Sequence, residues 1–153
     1  MTMQSTFSET AAPATPRADV DIAEDITGVI RTYPPLQASR PFMNYTVLNG
    51  QVTFNGNVRS GQARRYLLDR ITHIAGVTSV NADNLRDDDM LLIASGERLP
   101  DGVYATILYG AVALTGMLPR DKSAQTLVDT IKAVPGVRHV SANFDNAPLT
   151  VDR

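Results

Sequence analysis

Residues 46–58 read TVLNGQVTFNGNV, and 60 positions further on residues 106–118 read TILYGAVALTGML. Thr46, Leu48, Gly50, Val52 and Gly56 return without a gap as Thr106, Leu108, Gly110, Val112 and Gly116. The agreement continues outward. Leu67, Asp69 and Ile71 return as Leu127, Asp129 and Ile131, Gly76-Val77 as Gly136-Val137, and Val80 and Ala82 as Val140 and Ala142. The shared positions are mostly apolar residues and glycines, which a backbone constrains most. Strand and helix patterns stay in phase across both copies, so the chain reads as one small α/β module used twice.

Each copy opens with a hairpin. Tyr45-Thr46-Val47-Leu48 is rich in β-branched and aromatic residues, and Asn49-Gly50 suits a two-residue turn with positive φ at both positions. Val52-Thr53-Phe54 then alternates as a half-buried strand that ends at Gly56. In the second copy Tyr109-Gly110 holds the turn. Positive φ costs a tyrosine more than an asparagine, so another turn type is expected there.

A helix follows each hairpin. Ala63, Leu67, Ile71 and Ile74 form one apolar stripe, repeated by Ala124, Leu127, Ile131 and Val134. Ser60 and Asp121 are the expected N-caps, and Gly76 and Gly136 the expected stops. A third strand begins at Val77 and at Val137. Upstream, Ile22, Ile26, Val29 and Ile30 fall at helical spacing until Tyr33-Pro34-Pro35 breaks the pattern. The second copy has residues 88–99 in that place. Met90-Leu91-Leu92-Ile93 suits a short buried helix or a strand, and the helix is favoured, capped within the run Asp87, Asp88 and Asp89. Residues 1–18 are Ser-, Thr-, Ala- and Pro-rich and are expected to be disordered. The modules are expected at 19–85 and 86–145, joined by a short linker and packed together, with a tail at 146–153.

Composition narrows the chemistry. A net charge of -2 argues against nucleic acid as partner. Without cysteine there is no disulfide, thiolate or zinc-ribbon chemistry. His73 and His139 lack metal-ligand spacing and read as surface residues. The acidic run lacks the pattern of a calcium loop and reads as a solvated turn or helix cap. There is no nucleophile elbow, phosphate loop or placed carboxylate pair, so no catalytic residue and no cofactor is expected. No apolar run is long enough to span a membrane and no signal peptide is read at the start, so a cytoplasmic protein is expected, with peripheral membrane association open to it.

The order helix, strand, Gly turn, strand ending in Gly, helix, Gly-Val, strand resembles the BON domain, the bacterial osmotic-stress and nodulation family. NGQVTFNG with GVTSV, and YGAVALTG with GVRHV, carry that resemblance. It implies an α+β fold of two tandem αββαβ modules, each a small three-stranded sheet with helices packed on one face. It also implies a non-catalytic role at anionic phospholipid or the cell envelope, or as a stress-linked potassium sensor. Arg59, Arg64, Arg65 and Arg70 make the first module's helix basic, and with Tyr66 and Tyr109 they are the candidate contacts for lipid or a partner. Open sheet edges raise the alternative of an assembly subunit that pairs with itself or with another protein. Asn49, Gly50, Gly56, Gly76, Gly110, Gly116 and Gly136 are the structural turn positions.

Overall fold

Alternation along the two hairpins sends Val52 and Phe54, and again Val112 and Leu114, into the interior while Thr53 and Ala113 face outward. The computed structural model describes residues 17–152, so the expectation for residues 1–16 lies outside it. The first module comprises α1 (Asp19–Thr32), α2 (Pro34–Ser39), a 3-10 turn at Arg40–Phe42, β1 (Met43–Leu48), β2 (Gln51–Val58), α3 (Gly61–Thr72) and β3 (Ser79–Asp87). The second comprises α4 (Asp88–Gly96), β4 (Val103–Leu108), β5 (Ala111–Gly116), α5 (Ala124–Lys132), β6 (His139–Phe144) and β7 (Thr150–Val151). The fold is α+β in two modules, each with its own sheet and core.

The sheets run β1-β2-β3 and β4-β5-β6-β7. In both, the hairpin is antiparallel and the strand after the crossover helix is parallel. One core joins Ile22, Ile26 and Ile30 of α1 to Phe54, Val58, Leu67, Ile71 and Leu85. The other joins Val112 and Leu114 to Leu127, Val128, Ile131, Val140 and Phe144. The helical stripes thus do what their spacing requires, burying one face against a sheet.

Several expectations are corrected. The second sheet has four strands, not three, because Thr150–Val151 of the expected tail pairs antiparallel with Ser141 and Ala142. Asp152 then anchors the strand, within 2.7 Å of Lys132 Nζ and 2.6 Å of His139 Nδ1. No linker joins the modules. Asp87 ends β3 and also caps α4, its carboxylate accepting from the Met90 amide at 2.9 Å. Tyr33 does break α1, but Pro34 starts α2 from the first helical position, where its missing N–H costs nothing. Ser123 rather than Asp121 caps α5, accepting from Thr126 N at 3.0 Å. A turn closed by Lys122 N on Pro119 O delays that helix.

The third strands also differ. Thr53 pairs with Asn81 but Asn55 with Asn84, so β3 spends one residue more than β2 between these points. The β5–β6 register has no such bulge. Arg64 braces the bulge, donating from Nε to Leu85 O at 2.9 Å and from Nη2 to Ala82 O at 2.8 Å. The second copy has Ala124 in that place and a regular strand.

Candidate functional site

The three aspartates at the module junction each hold a different backbone end. Asp87 caps α4. Asp89 accepts from Gly61 N, the first amide of α3, at 2.9 Å. Asp88 turns inward and accepts from Tyr109 N at 2.7 Å and Gly110 N at 2.9 Å, while Arg59 donates to it at 3.0 Å. Asp87 and Asp88 are buried, so the run caps as expected but is not a solvated turn. Its charges are matched by amides and one guanidinium, the condition under which buried carboxylates persist.

Asp88 has a counterpart in Asp19, whose carboxylate accepts from Asn49 N at 2.9 Å and Gly50 N at 3.1 Å. In each module the first residue of the first helix clamps that module's own hairpin turn. The clamp allows the second turn to match the first. Tyr109 has φ 49° and Gly110 φ 81°, against 51° and 78° for Asn49 and Gly50. The expected difference in turn type is therefore absent. Tyr109 is held in positive φ by the Asp88 clamp, by Arg138 Nε donating to its carbonyl at 2.5 Å, and by stacking on Phe42 at 4.3 Å between centroids.

The seam between modules is built at this turn. Asn57 Nδ2 donates to Gly136 O at 2.9 Å, Arg59 meets Asp88, Phe42 meets Tyr109, and Arg138 lies 5.0 Å over the Phe42 ring. Two of the expected contact residues, Arg59 and Tyr109, thus have partners across the seam, although half of the Arg59 side chain stays exposed. Arg64 is committed to the β3 bulge. Tyr66 stacks on Tyr33 at 3.8 Å with Arg70 over its other side at 5.0 Å. Arg65 and Arg70 are exposed, and of the two only Arg65 makes no aromatic contact.

Beside Arg65 lies a surface that the sequence reading missed. Of the run Met90-Leu91-Leu92-Ile93, only Leu91 is buried. Met90 is 49%, Leu92 46% and Ile93 67% exposed. The expectation of a buried helix fails because β4 and the seam occupy only one side of α4. Its outer arc is left uncovered, and Arg65, Met90 and Ile93 line one shallow depression of about 400 Å³ together with Arg64, Asp87 and Asp89. Among the described residues no three His, Asp or Glu side chains gather as a metal group, and no helix is long and apolar enough to cross a membrane.

Residues 18–86 match the BON domain. The match runs from the start of α1 to one residue before the end of β3. Two solved structures of CdsD, a structural protein of the type III secretion system of Chlamydia trachomatis, are also similar. Its C-terminal domain matches at 15% identity over 86% of this chain and 100% of that one, with a TM-score of 0.35. A second structure matches at 15% identity over 81% and 91%, with a TM-score of 0.33. No curated protein matches the chain. Beyond the BON domain, the second module repeats the hairpin, clamp, crossover helix and parallel strand in the same order.

Proposed function

We propose that this chain is a non-catalytic binding protein whose second module is a further BON domain, and that it docks on anionic phospholipid surfaces through α4. The observation that carries the reading is the uncovered apolar arc of Met90, Leu92 and Ile93 with Arg65 beside it. Apolar side chains entering the headgroup boundary and a basic residue at the phosphates are the two ingredients of interfacial attachment, the latter worth about 1 kcal/mol per residue. A BON domain as binding module fits this role. In co-sedimentation, vesicles rich in phosphatidylglycerol should retain the protein and phosphatidylcholine vesicles should not. Met90→Glu/Ile93→Glu should lower recovery by about tenfold. Equal recovery on both lipids, or none on either, ends the proposal.

Assembly through sheet edges is the second reading. It is favoured by β1 and β4, which are outer strands carrying Leu48 and Leu108 at 66% and 55% exposure. A mass that rises with concentration and falls back on Leu108→Lys would support it.

A further inference from the structure

The modules meet through unlike faces. The first presents the end of its hairpin sheet, with Phe42, Asn57 and Arg59. The second receives it with the Tyr109–Gly110 turn, the Gly136 carbonyl and Asp88. Such a contact is heterologous, so the first module's own counterpart of the receiving face is not used within the chain.

That face is a close copy. Asp19 clamps Asn49 and Gly50 as Asp88 clamps Tyr109 and Gly110. Thr78 N donates to Gly50 O at 2.9 Å as Arg138 N does to Gly110 O at 2.8 Å. Arg17 lies against Gly76 as Arg86 lies against Gly136. One difference stands out. In the second module Asn57 occupies the Gly136 carbonyl and Arg59 adds to Asp88, whereas among the described residues no donor reaches Gly76 O and no cation pairs with Asp19. A concavity of about 410 Å³ lies there, lined by Arg17, Asp19, Asn49, Gly50, Gly76 and Thr78.

We infer that this concavity is a docking site for the sheet end of another protein, one that carries a side-chain amide and a guanidinium two residues apart, as Asn57 and Arg59 are. The amide would answer the Gly76 carbonyl and the guanidinium the Asp19 carboxylate, whose charge is left partly unmatched. A second copy does not fit this chemistry. Its free sheet end has Gly102, Met117 and Pro119 in the places of Phe42, Asn57 and Arg59, with no amide or guanidinium among them. An aromatic is not required of the partner, because Asn49 stands where Tyr109 offers its ring. The inference is independent of lipid attachment, which uses α4.

The pair can be grafted onto the chain's own free end. In full-length Met117→Asn/Pro119→Arg, each copy becomes a donor for the next. Amide resonances of Gly50, Gly76 and Thr78 are followed by NMR from about 50 µM to 1 mM, a range that reaches weak affinities. In the graft they should shift with concentration, and the mass by sedimentation should rise above 16.6 kDa. In the unaltered chain they should stay still. Adding Asp19→Asn, which keeps an acceptor for the turn amides but removes the charge the guanidinium would pair with, should weaken both effects. Should Pro119→Arg disturb its turn, Met117→Asn alone carries the amide and should shift the same resonances less. A folded graft with motionless resonances, an unaltered chain that shifts as strongly, or shifts undiminished by Asp19→Asn would each overturn the inference.

Discussion

The Asn49–Gly50 and Tyr109–Gly110 turns have nearly the same backbone, yet they reach it by different means. Asparagine and glycine accept positive φ with little strain, and the first turn needs only the Asp19 clamp on its amides. Tyrosine resists that conformation. The second turn is held by Asp88, by Arg138 on its carbonyl and by Phe42 from the neighbouring module. Where local preference and fold agree, few contacts suffice. Where they disagree, the surrounding structure over-determines the outcome, and here that extra structure is also the seam that joins the modules.

Substitutions at matched positions test the contrast. Gly110→Val should be the most damaging, at about 4 kcal/mol. It forces a β-branched residue into positive φ and drives its side chain into Asn57 and the Gly136 carbonyl. Gly50→Val should cost about 3 kcal/mol, since its side chain meets the Gly76 carbonyl but leaves the seam untouched, and Gly61→Val, free of positive φ, less than about 1 kcal/mol. Denaturant unfolding measures all three, and equal losses at Gly50 and Gly61 would refute the role given to the turn.

The clamps should separate next. Asp88→Ala strands Arg59 and two inner amides and is expected to cost about 3 kcal/mol, against about 1 kcal/mol for the half-buried Asp19→Ala. Similar losses would mean that the seam adds nothing to the second clamp.

Exchanging the turn residues sharpens the comparison further. Asn49→Tyr should cost about 1 kcal/mol, because no aromatic partner waits for it. Tyr109→Asn should stay within about 0.5 kcal/mol, since relief of strain offsets the lost stack. A larger loss at Tyr109 would show that the Phe42 stack outweighs the strain.

The smallest expected effect concerns β7, which has no counterpart in the first module. The hydrogen bond from Lys132, helped by Val140 and His139, holds the Asp152 carboxyl below its ordinary value of 3.8 against the opposing effect of desolvation. A depressed carboxylate contributes stability above its unfolded value and loses it as pH falls through the folded one. The β7 amides should therefore exchange faster only as pH drops below about 4, and Asp152→Asn should remove that dependence. Exchange that does not change between about pH 7 and pH 3 would refute the role given to the Asp152 carboxylate.

The repeat, both hairpins, the stripes of α3 and α5 and the Ser60 cap were all legible, because each depends on residues a few positions apart. The helix favoured within residues 88–99 formed over Asp88–Gly96, started by the Asp87 cap. The candidate surface was less legible. Arginines 59, 64 and 70 look alike in sequence, but Arg59 and Arg64 are drawn to partners from other elements while Arg70 lies over Tyr66 of its own helix. Arg64 answers a bulge that no sequence pattern announced. The exposed arc of α4 was misread because four apolar residues in a row carry no phase. The fourth strand was missed because two residues beside Pro148 make no strand signal, and only β6 recruits them.

From its residues alone this chain was bound to form two similar modules, since turn chemistry and apolar period act locally and repeat in register. How the modules join was decided in three dimensions. The burial of Asp88, the strained Tyr109 and the outward face of Met90, Leu92 and Ile93 depend on which surfaces meet across the seam. Contacts between residues far apart in sequence, such as Asn57 with Gly136, leave no mark on either segment taken by itself.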